Sequence, residues 1–406
     1  MNTAASASRF PWRQVAMAAF LPTILFSIGQ GAVLPIIPVV AHQLGADLAG
    51  AGLISAMLVV GALIGDIPAG ALIVRIGERT SMIGAAVLAV VAAGVSLSAP
   101  NPWVLGIGIL LFGLASTVFA IARHAFMTTF VPLAYRARSL STLGGTFRFG
   151  FLVGPFATAA VIQVTGEARD AFWIQLVTSI AALIVVVLLR DPSEALAERR
   201  QKAAPDSTRM SLLGTIAANR GVLLTVGSGS ALVAALRSSR NVILPLWAVS
   251  IGLDGTTTAI IIGAAAAIDF VLFYTGGWIT DRFGRLWTSV PAMIGLGASH
   301  LVLALSHDSP DAEGWFVAAA AMLALANGIS SGILMTLGSD LADPAHPAPF
   351  LGAWRFTNDS GAAAAPLLIA GITAVASLPV AAGVMGVLGF LGALNLRVFL
   401  PRYLRE

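Results

Sequence analysis

The sequence predicts an all-α integral membrane protein, with twelve transmembrane helices in two pseudo-symmetric six-helix bundles. Three observations predict it. Of 406 residues, 57% are hydrophobic and 10% charged, whereas a water-facing globular surface needs roughly 25% charged residues. Apolar runs of the length that crosses a bilayer, about 20 residues for about 30 Å of hydrocarbon, recur along the whole chain. One long polar segment, containing DPSEALAERRQKAAPDSTR, divides those runs six and six.

Apolar runs against polar breaks place the first six spans at 14–41, 49–74, 81–98, 103–131, 141–164 and 172–189. The second six fall at 221–250, 257–280, 287–305, 315–339, 350–375 and 379–400. The first run follows Arg9 and Arg13. It is too long for a signal-peptide core and shows no small-residue cleavage site, so it is expected to stay as helix 1. The expected domains are an N-terminal six-helix bundle (1–190), a cytoplasmic linker (191–220) and a C-terminal six-helix bundle (221–406). Direction follows from Lys and Arg, which concentrate in inner loops. With the N-terminus inside, seventeen lie in inner loops and tails, from Arg9 to Arg405, and Arg169 alone lies outside. Both termini are thus expected in the cytoplasm, in a multi-pass protein of the cell's inner (plasma) membrane. Trp12, Trp103, Trp173, Trp247, Trp278, Trp287, Trp315 and Trp354 all fall near expected span ends, where an amphipathic ring prefers to sit.

The halves echo one another. QGAVLPII (30–37) in helix 1 resembles RNVILPLW (240–247) in helix 7, aligning Pro35 with Pro245 and Gln30 with Arg240. Arg148 precedes Gly154 by six residues in helix 5, as Arg355 precedes Gly361 in helix 11. Repeats with an even helix count share one orientation, so an axis along the membrane normal relates them. Three motifs then stand out. GWITDRFGR (277–285) follows helix 8, and GALIVRIGER (70–79) follows helix 2 with Val74 in place of the Asp. GFLVGP (150–155) lies in helix 5.

On these motifs the chain resembles the major facilitator superfamily over nearly its full length. In the helix 5 motif it resembles that family's twelve-helix drug/proton antiporters. The resemblance implies that helix 2 lies beside helix 11 and helix 5 beside helix 8, across the interface between halves. It also implies a central cavity lined by helices 1, 4, 7 and 10, and loops that act as conformational latches. The latch residues would be Gly70, Arg75, Gly77 and Arg79 in one half, and Gly277, Asp281, Arg282, Gly284 and Arg285 in the other. Glycines permit tight turns. An Asp beside a helix N-terminus is favoured by the dipole and satisfied by neighbouring arginines. Val74 weakens the corresponding lock in the first half. The plainer alternative for Asp281, Arg282 and Arg285 is positive-inside anchoring. For Gly150, Gly154 and Pro155 it is close packing through small residues.

Ionisable residues inside a span are costly unless paired or solvated, so each marks a candidate functional residue. These are Asp66, Arg123, Arg148, Arg237, Arg240, Asp269, Arg355 and Asp359. At about 1.5 Å of rise per residue, Asp66 lies roughly 12 Å from the inner surface and Asp269 roughly 18 Å, near the midplane. With the family's helix order, Asp66 is expected to pair with Arg355 and Asp269 with Arg148, as bridges related by the pseudo-symmetry. A proton on either Asp would weaken its bridge and bias two states. Pairing within a half is the alternative: Asp66 with Arg123, or Arg355 with Asp359 at i,i+4. Arg237 and Arg240 share a face of helix 7. With Gln30 they are cavity candidates, suited to an anionic group; the alternative for Arg240 is snorkelling to the outer headgroups. His124, adjacent to Arg123, is a candidate titrating group; the alternative is a packing or hydrogen-bonding role.

Enzyme chemistry is not expected. There is no HExxH, no GxxxxGK[ST] and no cysteine, which excludes thiolate sites and disulfides. GSGSALV (227–233) reads as small-residue packing in helix 7. No cofactor, metal or nucleic acid is expected, and transport energy would come from a gradient. The expectation is a monomeric, proton-driven exporter of apolar or amphiphilic small molecules. The alternatives are a transporter of a metabolite such as an organic anion, and a transporter-like sensor or lipid-handling protein.

Overall fold

The computed structural model describes residues 16–131, 133–188, 212–343 and 347–404. Arg9, Trp12, Arg13, Arg405 and most of the expected linker lie outside these. All regular structure among the described residues is helical. The helices are α1 (Leu21–Val33, continued by Ile37–Gln43), α2 (Leu48–Ile76), α3 (Glu78–Ser98), α4 (Pro102–Phe130), α5 (Leu133–Thr165) and α6 (Ala171–Leu188). The second set is α7 (Ser228–Ser250), α8 (Gly255–Phe283), α9 (Arg285–Ser306), α10 (Ala312–Ile329, continued by Ile333–Leu341), α11 (Pro347–Val375) and α12 (Leu378–Tyr403). Among the described residues, ten helices are long and apolar enough to cross a membrane, and the two parts of α1, bent by 42°, make an eleventh. The 29-residue α11, which carries Arg355 and Asp359, takes the twelfth place. Side chains such as Leu305, Val375, Val164 and Leu188 protrude from the bundle, a surface suited to lipid rather than water.

The repeat is visible in the packing. In the first half α2 and α3 pack on α4, α5 and α6 on α1, and α3 on α6. In the second, α8 and α9 pack on α10, α11 and α12 on α7, and α9 on α12. Matching residues recur 207 positions apart: Asp47 and Asp254, Gly77 and Gly284, Arg148 and Arg355, Gly154 and Gly361. Gly77 (φ 83°) and Gly284 (φ 89°) are the N-caps of α3 and α9, a backbone region that glycine enters at little cost. Asp47 and Asp254 cap α2 and α8 by accepting hydrogen bonds from backbone N–H groups, satisfying donors that a helix start leaves open. The Thr257 hydroxyl and the backbone N–H groups of Thr257 and Thr256 hold the Asp254 carboxyl below the usual carboxylate range.

Several sequence expectations change at the helix ends. α8 runs on to Phe283 and α2 to Ile76, so Asp281, Arg282 and Arg75 stand in final helical turns and not in loops. Gly70 and Gly277 are helix-interior residues. α5 begins at Leu133, before the expected 141. Leu212–Ala218, assigned to the linker, is helical and packs against α11. Trp103, Trp173, Trp278, Trp287 and Trp315 are exposed near helix ends, but Trp247 and Trp354 are core residues. Trp354 Nε1 donates to the Leu334 carbonyl at 2.8 Å. The outlier of the charge pattern, Arg169, caps α3 by donating to the Ala99 carbonyl at 2.6 Å. Arg79 does the same for α6, donating to Val186 and Val187.

The helix 5 motif has a packing account. A side chain at Gly150 would meet Ser27 and the Ile28 backbone of α1, and one at Gly154 the backbone of Gly31 and Ala32. The equivalent Gly361 on α11 faces the Ala231 backbone of α7. Close helix approach through small residues explains all three. Gly229, in the serine- and glycine-rich stretch of α7, lies against Asn395 and Leu396 of α12 in the same way.

Candidate functional site

The halves meet along two seams, α2 against α11 and α5 against α8. Each seam carries ions. On α5–α8, Arg148 Nη1 donates to Asp269 Oδ2 at 2.9 Å. Both side chains are largely buried, at 16% and 12% exposure, so the contact is poorly screened by solvent. Asp269 is the centre of a larger group. Asn327 Nδ2 on α10 donates to its Oδ1 at 2.7 Å, and Arg237 Nε on α7 donates to Asn327 Oδ1 at 2.8 Å. Arg240 Nη2 lies 3.8 Å from Asp269 Oδ2. Arg148 Nη2 also donates to Ser331 Oγ at 2.8 Å. Ser331 lies in the break of α10, beside Gly332 at φ 83°. One aspartate thus gathers α5, α7, α8 and the interruption in α10.

On α2–α11, Arg355 Nη2 lies 3.4 Å from Asp66 Oδ1 and its Nε donates to Asp359 Oδ2 at 3.2 Å. The bridge between halves and the i,i+4 pair within α11 therefore coexist. Arg355 is 57% exposed at its side chain, so this contact is the more easily hydrated. His124 on α4 is exposed and stands within electrostatic range of Arg355.

The two seams are not copies. Arg148 and Arg355 are equivalent, but by the same spacing Asp66 corresponds to Phe273 and Asp269 to Ala62. Phe273 holds the position in fact: the Arg148 guanidinium stands over its ring, 4.5 Å from the centroid, where its counterpart has a carboxylate. The expected symmetry of the bridges holds for the cations and fails for the acids.

Arg123 does not pair with Asp66 among the described residues. It is buried and donates from Nη1 to Thr23 Oγ1 at 3.2 Å. The latch residues also arrange themselves differently from a closed lock. Arg285 pairs with Asp340 at 2.7 Å. Arg282 lies over the rings of Trp278 and Phe283. Asp281 is exposed, with no ion pair among the described residues, at a helix C-terminus where the dipole does not favour an acid.

A central cavity lies between the seams. One part, of ≈ 140 Å³, is lined by Gln30, Leu34, Ser55, Ser116, Phe151 and Asn241 among others. An adjoining part shares Leu34, Phe151 and Asn241 and adds Pro155, Arg240, Leu244 and Ile262. The break of α1 at Leu34–Pro35 forms its wall, and α7 brings Arg240 and Asn241 to it. Arg240 therefore turns inward rather than to the headgroups. Sequence reading missed Asn327, Ser331, Asn241 and Phe273. The interruption of an apolar run by SSG (330–332) was the available signal for the first two, because broken helices mark binding regions in transporters.

The sequence matches the family model of the Major Facilitator Superfamily over residues 19–366, with a second match over 226–406. The chain belongs to the major facilitator superfamily. It is a multi-pass membrane protein of that family. The transporter is 25% identical over 187 residues to the galactose-proton symporter of Escherichia coli (strain K12), covering 46% of this chain and 40% of that one. That match thus spans about two-fifths of the symporter. It is 23% identical over 272 residues to the uncharacterized MFS-type transporter YfkF of Bacillus subtilis (strain 168), 66% of each chain. A crystal structure of a D-xylose-proton symporter shares the fold at TM-score 0.70 and 16% identity, over 97% of this chain and 98% of that one. A peptide transporter POT in complex with sulfate shares it at TM-score 0.77 and 14% identity, over 97% and 95%.

Proposed function

We propose that this transporter is a proton-coupled exporter of apolar or amphiphilic small molecules, working by alternating access in the cell's inner membrane. The observation that carries the mechanism is the presence of an ion-bridged contact on each seam between the halves. Rocking of one bundle against the other must change those contacts, and a proton on a bridging carboxylate changes their strength. The α2–α11 seam is the better place for the proton. With Asp66 or Asp359 protonated, Arg355 keeps the other carboxylate. A proton on Asp269 would leave Arg148, Arg237 and Arg240 with none. His124, within electrostatic range of both Arg355 and Arg123, supplies no competing carboxylate. The concentration of Lys and Arg in the loops of one side supports a topology with both termini in the cytoplasm. The path lies within one chain, so a monomer suffices.

The apolar cavity wall of Leu34, Phe151, Leu244 and Ile262 and the resemblance of GFLVGP support export of amphiphiles. A second reading, solute–proton symport, is favoured by the galactose-proton symporter relative and by the amides of Gln30 and Asn241 in the cavity. Proteoliposomes carrying a fluorescent amphiphile, with a pH gradient imposed in either direction, test the proposal. Dye should move against the proton flow and stop when a protonophore collapses the gradient. Movement with the protons would favour symport, and movement indifferent to the gradient would overturn proton coupling.

A further inference from the structure

We infer that the central cavity contains an anion seat, formed by Arg240 in its wall with Arg237 and Arg148 behind that wall, that selects substrates with a carboxylate or similar oxyanion on an apolar body. The inference rests on the transport reading, because it names the chemistry the same cavity recognises.

The charge balance of the two seams is opposite. Around Arg355 there are two carboxylates, Asp66 and Asp359. Around Asp269 there are three guanidiniums, one hydrogen-bonded directly, one through Asn327 and one at 3.8 Å. Uncompensated cations inside a membrane are costly and are kept where they face a pathway. A guanidinium has five N–H donors in a planar fork. Arg148 spends two of them on Asp269 and Ser331, and Arg237 spends one on Asn327. Arg240 makes no hydrogen bond among the described residues; its nearest carboxylate oxygen is Asp269 Oδ2, beyond hydrogen-bond length.

Location gives those donors an addressee. Arg240 lines the cavity together with its neighbour Asn241, and 17% of its side chain remains accessible. Its surroundings there are Leu34, Phe151, Leu244 and Ile262. The arrangement is a fork of donors beside an apolar stretch of cavity wall, the complement of an amphiphilic anion. Asp269 ties recognition to the α5–α8 seam. An anion on Arg240 supplies the carboxylate that Arg240 otherwise shares with Arg148, and leaves Asp269 to Arg148 and Asn327. Binding should therefore tighten that seam.

Octanoate, octanamide and octylamine share an apolar tail and differ in the charge of the head. Each is titrated against the purified transporter in detergent, with equilibrium dialysis for affinity and the thermal transition for folding. Octanoate should bind about ten-fold more tightly than octanamide, and octylamine more weakly than either. Arg240→Gln should remove that preference, and Arg240→Lys, which keeps the charge but loses the fork, should retain part of it. Equal affinity for octanoate and octanamide, no binding of octanoate, or undiminished octanoate binding by a folded Arg240→Gln or Arg240→Lys protein overturns the seat. Gradient-driven dye flux distinguishes this failure from failure of the transport reading. Flux that survives in Arg240→Gln with no anion preference retires the seat alone, while wild-type flux without gradient dependence retires the proton coupling.

Discussion

Replacing Asp269 with alanine should abolish flux and destabilise the folded transporter by about 3–5 kcal/mol, the cost of deleting one partner of a buried ion pair. The size follows from what remains. Arg148 loses its 2.9 Å contact, Asn327 loses an acceptor, and three arginines stay without a carboxylate. Asp269→Asn should cost less, since a carboxamide oxygen can still accept from Arg148. Arg148→Gln removes one stranded cation, so adding it to Asp269→Ala should restore part of the stability. Chemical unfolding in detergent and flux in proteoliposomes, arranged as a double-mutant cycle, measure the coupling. Strict additivity of the two substitutions would mean that the contact has no energetic role.

Removing both acids of the other seam should have a different consequence. In Asp66→Asn/Asp359→Asn, folding is expected to survive, because the Arg355 side chain is already 57% exposed and can be hydrated. The response of flux to a pH gradient should fall by about 5- to 150-fold, the usual span of a coupling free energy between sites. Downhill exchange of the dye should continue. Each single variant keeps one carboxylate beside Arg355 and should retain an intermediate response. Flux against pH, compared across the four proteins, measures this. A double variant whose gradient response equals that of wild type would place the proton elsewhere.

The fold was legible because a bilayer imposes so few solutions. Low charge, repeated apolar runs and one polar divider dictate twelve helices, and the glycines at Gly77 and Gly284 mark the same turn in each half. Helix ends were less legible: α2 and α8 carry their charged final turns beyond the apolar stretch that hydropathy detects. The ionised members of the site stood out because Asp66, Asp269, Arg148 and Arg355 are rare in such a background. Their partners among neutral residues did not. Asn327, Ser331 and Phe273 look like ordinary residues of apolar segments, and only the packing of α10 and α8 gives them a role. The same limit applied to Arg123, whose contact with Thr23 within one half is invisible to a reading that pairs charges with charges. Trp247 and Trp354 show the converse, since proximity to a helix end says nothing about which face a side chain takes.

The central claim is that carboxylates between the halves set the balance of conformations. The sequence contains no cysteine, so spin labels can be placed at Thr128 on α4 and Ser339 on α10, both exposed near the basic-loop end. The distance distribution between them, recorded by pulsed electron resonance in lipid as pH is lowered, reports the balance directly. The account predicts that acidification enlarges the longer-distance population in the wild-type background, and that Asp66→Asn/Asp359→Asn abolishes this shift. A distribution insensitive to pH, or a shift of the same size in the double variant, would contradict it.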